Sequence, residues 1–141
     1  MDSMGGNMNI KELTKEIHEN AVNHGWWEEE RTFGDIIALC HSELSEALEE
    51  YRNNRPHMYC EYIKGGYCKE ENKTCIKCYE EDIANSVKDL AKPEGIATEL
   101  ADCIIRILDY CGHENIDIEN VIKIKHEYNK SRPYRHGGKV I

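Results

Sequence analysis

The chain has 141 residues, with 27 Asp and Glu against 18 Lys and Arg, a formal net charge of −9. That length builds one domain around a single core, and the acidic balance disfavours a general nucleic-acid binder, which a polyanion's repulsion would penalise. No apolar stretch approaches the roughly 20 residues needed to span a bilayer, and the polar start from Met1 to Asn9 has no apolar signal region, so a soluble, cytoplasmic protein without membrane contact is expected.

Hydrophobic periodicity predicts helices at about 9–24, 35–53, 80–91, 94–111 and 117–131. Asn9 with Glu12 has the form of a capping box at the first of them, and Gly25 and Gly112 are expected C-terminal stops. Strand signals are scarce and there is no internal repeat. The class expected is all-α: one domain over residues 1–141, a bundle of four to five helices.

In the second helix, Ile36, Ile37, Leu39, Cys40, Leu44, Ala47, Leu48 and Tyr51 fall on one stripe, with Glu43 projecting into it and Glu46 at its edge. In the helix at 94–111 the stripe is Ile96, Leu100, Cys103, Ile104, Ile107, Leu108 and Cys111, with Glu99 at one margin and Asp102 further round. Each acidic pair, Glu43-x-x-Glu46 and Glu99-x-x-Asp102, therefore has neighbouring side chains. One such pair usually marks a solvated face. Two pairs at the same spacing, both against apolar stripes, reverse that balance, because carboxylates pressed on a core are costly unless neutralised. A divalent cation is the natural neutraliser, and hard oxygen ligands suit Mg²⁺ or Mn²⁺ better than zinc.

Between the acidic helices runs an insertion at about 53–79 with Cys60, Cys68, Cys75 and Cys78, spaced C-x7-C-x6-C-x2-C. Only the last pair has a familiar zinc spacing. The segment is too poor in apolar residues for a core of its own and needs a staple: structural Zn²⁺ on the four thiolates, with His57 as a substitute ligand, or two disulfides, with free thiols as the remaining reading. Cys40, Cys103 and Cys111 instead lie on apolar stripes, where a free thiol acts as a small hydrophobe and points to a reducing compartment.

Along the last helix the face marked by Ile118, Val121 and Ile122 continues as Lys125, Asn129 and Arg132, so an apolar stripe turns cationic. From Lys123 onward there are six Lys or Arg against one acidic residue, and before it twelve against twenty-six. A basic tail alone is more often a solvated extension or a nucleic-acid contact. Here the acidic body argues instead for a small phosphorylated ligand held between a cation and the tail.

Read together, these blocks resemble the MazG-like nucleotide pyrophosphohydrolases of the all-α NTP pyrophosphatase superfamily. The resemblance runs through Gly25-Trp26-Trp27, Arg31-Thr32-Phe33-Gly34 and His41-Ser42-Glu43-Leu44-Ser45-Glu46-Ala47-Leu48-Glu49-Glu50-Tyr51-Arg52. It resumes at Lys92-Pro93-Glu94-Gly95-Ile96, Glu99-Leu100-Ala101-Asp102 and Lys125-His126-Glu127-Tyr128-Asn129, and ends at Arg132-Pro133-Tyr134-Arg135-His136-Gly137-Gly138-Lys139. The cysteine insertion is a departure, longer than the family's usual connection.

The resemblance implies hydrolysis of a nucleoside triphosphate, NTP or dNTP, between the α- and β-phosphates, giving a nucleoside monophosphate and pyrophosphate. It implies Glu43, Glu46, Glu99 and Asp102 as the Mg²⁺ ligands and catalytic acids, with Glu46 favoured to take the water's proton. Lys125, Asn129 and Arg132 match phosphate-side positions, and Arg135 and His136 of the tail close over the triphosphate. Trp27 or Trp26 offers a stacking face to the base, although a Trp pair at a helix end more often packs in a core; His41 lies within a turn of the first acidic pair. Ile105 lies off the main stripe of its helix, so burial on two sides and completion of the bundle by a homo-oligomer, dimer or tetramer, are expected. Two other classes remain, a non-catalytic metal-stabilised binding module and a nucleic-acid-binding protein using the basic tail, and within the enzyme reading the nearest competitor is a hydrolase of another pyrophosphate-containing nucleotide such as phosphoribosyl-ATP.

Overall fold

Local side-chain chemistry sets the helix boundaries in the computed structural model, which describes residues 8–61, 92–135 and 140. The expected helix at 80–91 lies outside the described residues, as do Cys68, Cys75, Cys78 and His136. Helix α1 (Ile10–Asn23) is capped by Asn9, whose side chain accepts from the Glu12 N–H at 2.8 Å, and Gly25 at φ +80° follows its end as expected. Helix α2 (Phe33–Arg52) starts two residues earlier than periodicity predicts. A reciprocal Thr32–Asp35 capping box fixes that start: Asp35 N donates to Thr32 Oγ1 at 3.1 Å and Thr32 N donates to Asp35 Oδ2 at 3.0 Å. The two Thr32 donors hold the Asp35 carboxyl below its ordinary pKa.

Two strands that the sequence did not announce follow. Strand β1 (Tyr59–Glu61) pairs antiparallel with β2 (Lys92–Glu94), Tyr59 opposite Glu94, Cys60 opposite Pro93 and Glu61 opposite Lys92. At three residues each, neither is long enough to display an alternating pattern, and a two-stranded ribbon has the open edge that Pro93 requires. The pairing closes the neck of the insertion. Directly after it, Gly95 sits at φ +110°, where a Cβ would lie 2.6 Å from the His57 carbonyl oxygen. That carbonyl accepts from Ala97 N at 2.8 Å, so only glycine lets the neck meet the next helix this closely.

Helix α3 (Ile96–His113) and helix α4 (Ile118–Ser131) complete the described chain. Gly112 does not stop α3 as expected; the helix continues to His113 and the chain turns at Asn115, φ +55°. Gly112 serves packing instead, since a Cβ there would lie 2.6 Å from the His18 Cβ. The described residues are thus mostly helical, with four helices and one short strand pair, and none of these helices is long and apolar enough to cross a membrane.

The chain divides into two compact units. One takes residues 31–107, comprising α2, the strand pair and α3 as far as Ile107; the other takes residues 1–30 and 108–141, comprising α1, the end of α3 and α4. In the first unit Ile36, Cys40 and Ala47 of α2, Tyr59 and Cys103 are buried; in the second, Thr14, Ala21, Leu108 and Cys111 are. Cys40, Cys103 and Cys111 are buried free thiols, as expected.

The buried stripes are narrower than periodicity suggests. Ile37, Leu44, Leu48 and Tyr51 of α2 are exposed, as are Leu100, Ile104, Ile105 and Ile107 of α3. The expected inward face of α4 is also outward: no residue of that helix is buried, Val121 and Ile122 are exposed, and so are Lys125 and Asn129. The physical reason is that a single neighbouring helix covers only one narrow strip of its partner, whereas a wide apolar stripe needs neighbours on more than one side.

Candidate functional site

On α2, Ile36, Cys40, Glu43 and Ala47 recur at helical spacing along one line, and all four are buried. Glu43 therefore stands inside an otherwise apolar strip, at 6% exposure. Glu99 holds the corresponding place in the first turn of α3, at 8% exposure, one turn before Cys103. Glu46 lies on the exposed edge of α2. Glu43, Glu46 and Glu99 each offer a carboxylate oxygen within 4.8 Å of the others, and no other group of three or more such ligands occurs among the described residues. Asp102 lines the same cavity, half-buried.

Crowding shows in the proton affinities. Burial, and then the charge and hydrogen bond of Glu46, push the Glu99 carboxyl up to about 7. A shared hydrogen bond with Glu43 raises Glu46, and burial followed by the Glu43 charge raises Asp102. The cavity here, about 480 Å³, is lined by seven carboxylates against two cations, Lys92 and Arg106. Lys92 Nζ is 2.6 Å from Glu94 Oε1. Arg106 Nε donates to Glu43 Oε1 at 2.6 Å. One guanidinium beside four clustered acids leaves a negative excess, and the donors are all hard oxygens. The 4.8 Å span of the Glu43, Glu46 and Glu99 oxygens is comparable with the roughly 4 Å between opposing ligands of an octahedral Mg²⁺, so the chemistry and size of this donor set are compatible with one small divalent cation.

The remaining residues singled out from sequence lie elsewhere. His41 is exposed on α2, and the neck holds His57, also exposed, and the backbone of Cys60. In the second unit, Lys125 Nζ sits 4.7 Å from the Tyr128 ring centroid and the Arg132 guanidinium 5.8 Å from it; Arg135, at φ +50°, lies over Tyr134. Trp27 stacks on His113 with centroids 3.8 Å apart and an 8° interplanar angle. Its indole N–H donates to both oxygens of Asp109, at 2.9 and 3.2 Å, and Asp109 also shares a 2.8 Å hydrogen bond with His18 Nδ1.

Sequence reasoning missed Arg106. Its signal was available: it lies four residues after Asp102, one turn further along the acidic helix. The His18–Asp109–Trp27 cluster was missed as well, since 91 residues separate His18 from Asp109 and no local spacing links them. Compared with protein-family models, curated proteins and solved structures, the chain gives no match.

Proposed function

We propose that the chain is a MazG-like, Mg²⁺-dependent nucleoside triphosphate pyrophosphohydrolase, cleaving between the α- and β-phosphates. The observation that carries this reading is the convergence of Glu43, Glu46 and Glu99 within 4.8 Å, two of them buried, in a cavity dominated by carboxylates. Glu43, Glu46, Glu99 and Asp102 would hold the ion. When bound, Mg²⁺ or Mn²⁺ polarises phosphoryl oxygens and offsets the charge that develops on the leaving pyrophosphate.

The chain's own part is positioning and proton transfer. Glu46, at the exposed edge of the cluster where water reaches it, accepts the proton of the attacking water. The resemblance assigns phosphate contacts to Lys125, Asn129, Arg132 and Arg135 and a base contact to Trp27. The exposed apolar stripes of α2 and α3 supply a surface for a second copy, so the working form is a homo-oligomer and the helical bundle is completed between copies. Buried free thiols agree with a reducing, cytoplasmic setting.

The deciding experiment incubates purified protein and Glu46→Gln with Mg²⁺ and a panel of NTPs, dNTPs and phosphoribosyl-ATP, measuring pyrophosphate release. Activity on a nucleoside triphosphate, lost in Glu46→Gln, is expected. Activity confined to phosphoribosyl-ATP moves the assignment to that substrate, and no release from any member refutes it in favour of a binding module.

A further inference from the structure

Arg106 is one of the two cations lining the acidic cavity, and the one paired with a buried acid. Its Nε is committed to Glu43 Oε1 at 2.6 Å, and Glu43 is itself fixed in the buried strip of α2. The guanidinium side chain is nonetheless 31% exposed and lines the cavity. Among the described residues its two terminal Nη groups make no hydrogen bond, and no buried polar side-chain atom there lacks a partner, so the Nη edge is turned to solvent in the cavity rather than stranded in the core. A guanidinium anchored through Nε and open along its Nη edge is the arrangement that binds an oxyanion with two parallel hydrogen bonds, its orientation set in advance.

We propose that Arg106 is a substrate-binding residue: held by Glu43, it grips a phosphate oxygen pair of the substrate beside the divalent cation. This rests on the pyrophosphohydrolase reading and deepens it. Glu43 then has two duties divided between its oxygens, with Oε1 orienting the guanidinium and Oε2 left for the cation. The two duties make opposite demands on Arg106. Toward the cation it is a competitor, since it already neutralises part of Glu43. Toward the anion it is a ligand. Removing the guanidinium therefore strengthens or preserves cation binding while weakening anion binding, a split that simple loss of structure does not produce.

The test uses Mn²⁺ alone, followed by inorganic pyrophosphate at saturating Mn²⁺, so that base preference does not enter. Mn²⁺ affinity is read by electron paramagnetic resonance and pyrophosphate affinity by calorimetry, on wild type, Arg106→Gln, Arg106→Lys and Glu46→Gln. In Arg106→Gln the Mn²⁺ dissociation constant stays the same or falls, while that for pyrophosphate rises at least about tenfold, the loss of a bidentate charge-assisted contact. Arg106→Lys keeps a cation beside Glu43 but not the fork, so it retains Mn²⁺ affinity and weakens pyrophosphate by about threefold or more; it decides the matter should Arg106→Gln fail to fold. Parallel weakening of both ligands, or a pyrophosphate affinity within about twofold of wild type in both variants, overturns the proposal alone, as does wild type that takes Mn²⁺ but not pyrophosphate. Wild type that takes no Mn²⁺, or Mn²⁺ binding indifferent to Glu46→Gln, removes the underlying reading and this proposal with it.

Discussion

Asp102 and Asp109 sit two turns apart on α3, each partly withdrawn from solvent, and they meet opposite surroundings. Asp109 is surrounded by donors: the Trp27 indole N–H reaches both of its oxygens and His18 takes one of them. Asp102 faces acids: burial first and then the Glu43 charge raise its proton affinity, and Arg106 only partly offsets them. Burial of a carboxylate is therefore not in itself a sign of a ligand site. What separates the two regions is the ratio of donors to carboxylates: the first is complete as it stands, whereas the second holds seven carboxylates against the two cations Lys92 and Arg106.

The contrast yields crossed predictions, and the largest effect falls on the acidic region. Glu99→Gln is expected to abolish tight Mg²⁺ or Mn²⁺ binding and to lower pyrophosphate-releasing activity by about 10²–10³-fold. The same variant raises the melting temperature of the metal-free protein, because it deletes a member of a mutually repelling set. Asp109→Ala should do the reverse, leaving cation affinity intact and destabilising the protein by about 2–3 kcal/mol as the Trp27 N–H and His18 lose their shared acceptor. Calorimetric cation titration together with thermal melting of both variants checks the crossing. Destabilisation by Glu99→Gln, or loss of cation binding in Asp109→Ala, would break it.

How far the sequence foretold these regions depends on the range of the interaction. Helix existence and the acidic pairs were legible because both are written at spacings of three and four residues, and Glu43 in the strip of Ile36, Cys40 and Ala47 is where helical angle puts it. Caps at Asn9 and the stop at Gly25 were likewise local. The width of each buried stripe was not legible. Ile37, Leu44 and Leu100 are as apolar as core residues, and what decides their exposure is how many neighbours the helix has, which no residue of that helix encodes. The neck strands failed for a different reason: three residues carry no period, and Gly95 reveals its purpose only once His57 is opposite it. The Trp27–Asp109–His18 cluster needed long-range contacts, and a Trp pair at a helix end left its partner unnamed.

Two glycines offer a finer test of the same contrast. At Gly95 a Cβ would strike the His57 carbonyl oxygen at 2.6 Å on a backbone at φ +110°, and neither feature can relax cheaply. Gly95→Ala should cost about 1–3 kcal/mol and lower cation affinity by about threefold, since Lys92 and Glu94 just before it line the acidic cavity. At Gly112 the backbone is ordinary helix, but a Cβ would lie 2.6 Å from the His18 Cβ, which moves only with its own backbone, and 3.3 Å from the Thr14 carbonyl oxygen. Gly112→Ala should cost a similar amount, about 1–3 kcal/mol with the helix-propensity gain offsetting part of it, but leave cation affinity unchanged. Equal effects of the two variants on cation titration would mean that the neck does not shape the cavity.

The smallest effect is the dependence of metal-free stability on pH, and its sign separates the regions without any mutation. Glu99 ionises near 4.5 when exposed and is pushed up to about 7 in the folded chain, so folding favours its protonated form. The stability this contributes is complete below about pH 4.5 and is lost as pH rises through about 7. Glu46 and Asp102, also raised, act in the same direction. Asp35 acts in the opposite sense, since its lowered pKa confers stability that disappears only as pH falls below its ordinary value of 3.8, outside this window. Between pH 5 and pH 8 the metal-free melting temperature should therefore fall, by about 3–5 °C. Saturating Mg²⁺ supplies the missing positive charge at the pH where the carboxylates are ionised, so it should raise the melting temperature more at pH 8 than at pH 5. In Glu99→Gln the fall should be largely absent. A melting temperature that rises from pH 5 to pH 8 without metal, or a Mg²⁺ effect that is equal at both, would mean that the acids already have their partners within the protein, as Asp109 has its hydrogen-bond donors.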